Sequence, residues 1–334
     1  MRTYWRPVAM TDAARPPDAL PLAGGWCWFD RVERLSRSEP ARVVGLAEVP
    51  PEVLDRLTAP RAPIAGLSWE APRLMGILNV TPDSFSDGGL FDAPDSALAQ
   101  ARAMEAQGAD LLDLGGESTR PGAREVPPEE EAARVVPVLE AIRRESRIVL
   151  SVDTRKAAVA EAALAAGAEI VNDVSALTFD PRMGEVASGA QGLCLMHAQG
   201  RPETMQADPR YDDVLLDVYD HLEERVAAAE AQGIPRDHIL VDPGIGFGKT
   251  LQHNVSLLRR LSLYHGLGCG ILLGASRKGF IGTLGRAREA RNRMPGSLAV
   301  ALHGARQGVQ VLRVHDVGET RQALSLQEAV GGTE

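Results

Sequence analysis

No run in this chain approaches the ~20 consecutive apolar residues that a membrane-spanning helix needs, so a membrane protein is not expected. Cysteine is scarce. The three thiols, Cys27, Cys194 and Cys269, are odd in number, scattered, and form no CxxC pair. That pattern speaks against a disulfide framework or a structural zinc site and for a reducing compartment. There is no basic excess. A formal net charge of −9 argues against broad phosphate contacts with DNA or RNA, but it leaves room for a local cationic cluster that holds a small anionic substrate. Met1–Arg6 is followed by no apolar h-region, so no secretory signal is expected and a cytoplasmic location is the default. Internal repeats are missing, and low-complexity tracts are limited to alanine-rich helical stretches.

What is present divides the chain in two. All four tryptophans (Trp5, Trp26, Trp28 and Trp69) fall in residues 1–70, together with frequent prolines. This is not the aromatic-poor composition of a disordered tail. It reads as a small appendage packed on the rest, across its bottom, with residues 13–21 loose and one helix over 50–61. No chemistry is legible there. Residues 71–330 instead carry eight short apolar runs near 75–78, 111–114, 148–152, 169–171, 192–196, 239–241, 270–273 and 310–312. Helical spacing alternates with them. Over 95–107 an apolar stripe closes on Gly108, the alanine-rich 156–166 closes on Gly167, and 213–232 closes on Gly233. Pro127-Pro128-Glu129-Glu130-Glu131 starts another helix, with proline in the first turn and acids at the positive end of the dipole. Repeated strand–helix units imply parallel strands with right-handed crossovers. Eight units over roughly 257 residues predict an α/β fold, a (β/α)8 TIM barrel with an N-terminal appendage.

In such a barrel every strand exit opens on one face, where active sites are built. The exits carry Asn79, Gly115-Gly116-Glu117, Asp153, Asn172-Asp173, His197, Asp242, Ser276-Arg277-Lys278, and Arg313 with His315. Asp153 could cap the helix starting near Lys156, and Asp242 could order the loop over 243–249. With Asn172 between them, ligand binding is favoured, because two carboxylates and an amide suit a flat heterocycle edge with several N–H donors and a carbonyl. Arg277, Lys278, Arg313 and His315 form a cationic set after strands seven and eight, a common phosphate position. Arg313 and His315 are two apart on an extended exit and project to one side, although a salt bridge from Arg313 to a neighbouring acid is the plain alternative. Two Gly- and Pro-rich loops, 81–89 and 115–122, are candidate lids that bring Phe85, Asp87 and Arg120. Gly244–Lys249 lacks the glycine spacing of a P-loop. Among the remaining histidines, none has metal-type spacing, and only His197 lies at an exit.

These residues resemble the dihydropteroate synthase family. Met75–Gly89, Gly115–Gly122, Ser151–Thr154, Asn172-Asp173, Asp242–Lys249, Ser276–Lys278 and Arg313–Asp316 follow the family's motifs in order, over about residues 73–329. The resemblance implies that 4-aminobenzoate displaces diphosphate from (7,8-dihydropterin-6-yl)methyl diphosphate, giving 7,8-dihydropteroate for folate synthesis. It implies that Asp153, Asn172, Asp242 and Lys278 hold the pterin, with Met196 along its face. Asn79, Arg313 and His315 would hold the diphosphate, with Mg²⁺ beside Asn79. Phe85, Thr119, Pro121 and Phe247 would shape the 4-aminobenzoate slot, while Asp87 and Arg120 come in on the loops and act with Lys278 in catalysis. A homodimer is implied as well. Gly279 departs from the pattern, which carries serine there. The alternatives are a catalytically inactive paralogue, which should have lost loop or phosphate residues, and the pterin-binding barrel of a corrinoid methyltransferase, which would not need the 118–122 loop. A sugar-phosphate isomerase barrel would explain the strand-eight cations but not the paired acids.

Overall fold

The computed structural model describes residues 2–81, 93–118, 125–200 and 205–331. The N-terminal residues build a small layer of their own. Strands β1 (Tyr4–Pro7), β4 (Arg31–Leu35) and β5 (Arg42–Gly45) form an antiparallel sheet, and β2 (Leu20–Pro21) pairs with β3 (Trp28–Phe29). Helix α1 (Pro51–Thr58) completes the layer. Its core is Leu22, Cys27, Phe29, Val32, Val44, Val49 and Leu57. The hairpin corrects the expectation that 13–21 is loose throughout. The helix is also shorter than 50–61, since the backbone turns extended at Ala59, before Pro60.

The appendage grips the barrel's flank with polar ties. Tyr4 donates its hydroxyl to Asp220 at 2.8 Å, and Arg37 pairs with Asp217 at 2.6 Å. Glu33 accepts from Arg260 at 3.1 Å, and Trp26 Nε1 donates to the Ala305 carbonyl at 2.8 Å. Its last segment passes beneath the barrel and places Ile64 and Trp69 against the strand beginnings.

The barrel strands are β6 (Arg73–Asn79), β7 (Leu111–Gly115), β8 (Val149–Asp153), β9 (Ile170–Asp173), β10 (Gly192–Met196), β11 (Ile239–Asp242), β12 (Gly270–Leu273) and β13 (Val311–Val314). All neighbours are parallel and β13 closes on β6. The outer ring is α2 (Ala93–Ala106), α3 (Pro128–Glu145), α4 (Ala157–Ala165), α5 (Met183–Ala187), α6 (Val214–Ala231), α7 (Leu251–Arg259), α8 (Gly279–Leu284), α9 (Met294–Arg306) and α10 (Val317–Gly331). Asp213 caps α6, accepting from Leu215 N at 3.0 Å and Leu216 N at 3.2 Å.

Most strands run one or two residues past the apolar runs. Asn79, Asp153, Asn172 and Asp242 belong to the ladders rather than following them. A polar side chain does not end a strand, because the ladder bonds are made by the backbone.

Side-chain alternation along each strand then sorts the interior into layers. The lowest takes one residue per strand: Met75, Leu111, Val149, Ile170, Cys194, Leu240, Leu272 and Val311, all buried and sealed from below by Ile64 and Trp69. Two residues further along each strand stand Ile77, Asp113, Ser151, Asn172, Met196, Asp242, Gly274 and Arg313. The interior thus changes from wholly apolar to largely polar within one step of the pleat.

Candidate active site

Asp113 sits at the middle of the polar layer and is fully buried. Its carboxylate accepts from Ser151 Oγ at 2.6 Å, Asn172 Nδ2 at 3.0 Å and Arg313 Nε at 2.6 Å. Three of the inward-facing polar side chains are therefore oriented by one acid. The sequence reading passed over Asp113 because it lies inside an apolar run. The available signal was its period: it is two residues from inward Leu111 and two from the exit Gly115, so it had to face the interior.

Arg313 also donates from Nη2 to Asp153 Oδ2 at 2.8 Å. The salt-bridge alternative is thus what the structure shows, with two partners. Arg313 stands among the acids, while His315 stands apart, its Nδ1 3.0 Å from Ser276 Oγ. Arg277, counted with the cations, pairs with Asp316 through Nε at 3.1 Å. Asp153 does not cap a helix: Lys156 is the N-cap of α4 and makes no side-chain bond there, and the Ala157 amide donates to Asp180 instead.

Asp153 carries the clearest mark of an incomplete site. Its Oδ1 is buried with no hydrogen-bond partner among the described residues, and a buried acceptor gains free energy from a donor. Burial above all pushes its carboxyl up to about 7; Arg313 opposes this and Asp113 adds to it. Across the barrel, burial raises Asp242, against the Lys278 cation and the Gly244 amide, which donates to Oδ1 at 2.7 Å. That amide bond is the loop-ordering role weighed for Asp242.

Lys278 is pulled down to about 8 by burial, against the Asp242 carboxylate. Its Nζ donates to the Ile245 carbonyl and lies 4.4 Å from the centre of the Phe247 ring, a cation–π arrangement. Met196 is buried beside Asp242, its register partner. Asp153, Asn172, Asp242, Lys278, Met196, Phe247 and Arg313 are thus brought to one end of the barrel. Gly279 opens α8 in an exposed position where an added Cβ would meet nothing within 4 Å, so a serine there would fit. Phe85, Asp87, Thr119, Arg120 and Pro121 lie outside the described residues.

Asn79 ends β6 in register with Gly115, and Gly115 is in register with Asp153. A Cβ placed on Gly115 would lie 3.9 Å from both Asn79 Oδ1 and Asp153 Oδ2. Asp153 Oδ2 is engaged by Arg313 Nη2, which leaves Asn79 Oδ1 as the oxygen that could serve a cation there. No group of three or more His, Cys, Asp or Glu residues suited to a metal occurs among the described residues. That donor set fits a hard cation held by few protein oxygens plus substrate phosphate and water, not zinc.

Two buried lysines were also missed. Lys156 joins Glu117 and Glu131, the latter at 2.5 Å, at the root of the 115–126 loop. Lys249 meets His197, with 2.8 Å from Nζ to Nδ1. Neither is legible locally, because each partner lies far off in sequence. Of the other histidines, His265 is buried against the Gln307 carbonyl and His253 forms the capping box of α7.

Comparison with known proteins supplies an independent line. The profile of the pterin binding enzyme family matches residues 75–315. The dihydropteroate synthase of Escherichia coli (strain K12) is 47% identical over 263 residues, covering 79% of this chain and 93% of that one. The structure of Xanthomonas albilineans dihydropteroate synthase with 4-aminobenzoic acid superposes with a TM-score of 0.77 at 45% identity, covering 81% of this chain and 98% of that one. A second structure of that enzyme, in complex with 7,8-dihydropteroate, gives a TM-score of 0.73 at 42% identity over 80% and 97% of the chains.

Proposed function

The chain belongs to the dihydropteroate synthase family of pterin-binding enzymes, and from that premise we propose how its residues divide the work. The reaction is the transfer of a pterinylmethyl group: 4-aminobenzoate displaces diphosphate from (7,8-dihydropterin-6-yl)methyl diphosphate, giving 7,8-dihydropteroate for folate synthesis. The observation that supports this is the buried Oδ1 of Asp153, which has no partner among the described residues and suits a substrate N–H.

Asp153, Asn172, Asp242 and Lys278 hold the pterin edge, with Met196 against its face. Asn79, Arg313 and His315 meet the diphosphate. Arg313 does so from between Asp113 and Asp153, using N–H groups beyond the two those acids engage. Phe247, with Phe85, Thr119 and Pro121, shapes the 4-aminobenzoate slot, and Asp87 and Arg120 join from the loops. Mg²⁺ would be held by Asn79, where it neutralises charge on the leaving diphosphate.

The methylene is attached to an electron-rich dihydropterin, so departure of diphosphate can run ahead of attack. Arg313 and His315 stabilise the charge growing on the leaving group. The carboxylates of Asp153 and Asp242 stabilise the cationic ring left behind. Lys278 bridges these halves, since its charge interacts with the Asp242 carboxylate and its Nζ lies over the Phe247 ring. The arylamine is a modest nucleophile that needs positioning more than a base.

The assembly is a homodimer formed through α8–α10. Leu284, Leu326 and Val330 on these helices are three of the five exposed large hydrophobic residues among those described, and a surface groove on α9 is lined by Ala299, Leu302, His303 and Arg306. The location is cytoplasmic, a reading supported by three buried free cysteines and by the lack of any described helix long and apolar enough to cross a membrane.

The test of the function mixes purified protein with the pterin diphosphate, 4-aminobenzoate and Mg²⁺ and follows diphosphate release. Release that depends on the arylamine, and falls by ~10²–10³ in Lys278→Ala with the barrel still folded, is expected. Release that ignores the arylamine would refute the assignment.

A further inference from the structure

Lys249 is almost fully buried, at 2% exposure, behind the loop that follows β11. Its ammonium has three acceptors: the Phe247 carbonyl at 3.0 Å, the His197 carbonyl at 3.3 Å and His197 Nδ1 at 2.8 Å. Burial pulls this amine well below the ordinary lysine value, against the Asp242 carboxylate, and three acceptors match the three N–H bonds it has when protonated. The imidazole can accept because burial, and then the lysine's own charge, push its pKa down to about 2. The lysine thus ties both ends of a short span, the loop over 243–249 and the exit of β10.

The loop has almost no freedom of its own. Asn254 Oδ1 accepts from the Gly246 amide at 2.7 Å, and Tyr211 donates its hydroxyl to the Gly248 carbonyl at 2.8 Å. The loop also lies directly on the β10 exit. A Cβ on Gly244 would stand 1.8 Å from the His197 carbonyl oxygen, and one on Gly248 would stand 2.3 Å from that of Gln199. At φ of +66° and +60° these positions are closed to other residues twice over. Only one side chain of this loop is left to reach the site, the Phe247 ring over Lys278.

We propose that Lys249 is a positioning residue of the synthase, a buried strap that fixes the loop carrying Phe247 and thereby the wall of the 4-aminobenzoate slot. The inference rests on the reading of Phe247 as part of that slot. Lys249 acts on the slot through the loop that carries Phe247, the same loop whose Ile245 carbonyl accepts from Lys278. Asp242 keeps the Gly244 amide and Lys278 when Lys249 is lost and gives up only the charge of Lys249, so the larger effect is expected on the 4-aminobenzoate side.

The experiment is a kinetic cycle of Lys249→Met, Phe247→Ala and the double variant, with KM measured for each substrate. Lys249→Met should raise the 4-aminobenzoate KM about tenfold while the pterin diphosphate KM and kcat stay within about threefold. In the Phe247→Ala background the same change should add nothing further to the 4-aminobenzoate KM. Additive effects, or equal losses on both substrates, overturn the inference and leave the slot reading standing. A Phe247→Ala enzyme with an unchanged 4-aminobenzoate KM overturns both. If Lys249→Met does not fold, Tyr211→Phe removes only the Gly248 tie. It should give a smaller rise confined to 4-aminobenzoate and absent in the Phe247→Ala background; no rise, or one on both substrates, refutes the strap.

Discussion

Replacing Asp153 with asparagine removes a charge that the fold holds at a cost. Burial, against Arg313 and with Asp113, raises this carboxyl to about 7 from an ordinary value of 3.8. Between those two pH values the folded protein binds a proton that the unfolded chain has released, so stability falls as pH rises across the window and is level above it. A shift of this size corresponds to about 4 kcal/mol at pH 8. Asparagine keeps the shape and carries no charge. Its amide oxygen still accepts from Arg313 Nη2, but the charge assistance of that 2.8 Å bond is lost, at about 1–2 kcal/mol. The net expectation is a gain of about 2–3 kcal/mol at pH 8, shrinking by roughly the same amount at pH 5, where the wild-type carboxyl is protonated in the folded state. Urea unfolding without substrates, at both pH values, measures this directly. The same variant should lose ~10²–10³ in kcat/KM, because an amide cannot stabilise the developing pterin cation. A stability change identical at pH 5 and pH 8, or a loss that is larger at pH 8, would refute the reasoning.

Two further outcomes test the scaffold and the assembly. Trp69→Ala should cost about 3–5 kcal/mol in urea unfolding by opening the seal under the apolar layer, with KM for both substrates unchanged, since that layer separates the tryptophan from the site. Leu326→Glu with Val330→Glu should shift the protein toward monomer in analytical ultracentrifugation if α10 forms the dimer face, and should leave the oligomer unaltered if it does not.

The barrel was legible because its signals are local and repeated: eight β-rich runs, helix stops at Gly108, Gly167 and Gly233, and polar residues at the exits. The convergence of Asp153, Asn172, Asp242, Lys278 and Arg313 at one end of the barrel was legible for the same reason. Asp113 was not, because its run read as apolar when scored residue by residue, and only the two-residue period marks it as inward. Lys249 and Lys156 were hidden differently. Their partners, His197 and the pair Glu117 and Glu131, are between 25 and 52 residues distant, and nothing in a lysine's neighbours announces burial. Arg313 was placed with the phosphate cations from its position after strand eight. The structure stands it among the acids because its site on β13 is an inward one, level with Asp113 and Asn172.

The strands therefore set stability against function at adjacent steps of a single pleat. The first inward layer is apolar, buried and sealed, and changes there cost folding free energy. The next layer holds Asp113, Asn172, Asp242 and Arg313, and Asp153 follows one step later. Burial raises both Asp153 and Asp242. Acids held in that state destabilise the empty enzyme, and a substrate that supplies N–H donors relieves part of the cost. Binding should therefore stabilise the fold more than its contacts with Phe247 or Met196 alone would, and the excess should grow with pH from 5 to 8 as Asp153 ionises. It should shrink in Asp153→Asn, where only Asp242 remains to be relieved. This ties the architecture's polar layer to the reaction by a quantity that thermal unfolding with and without the pterin can read.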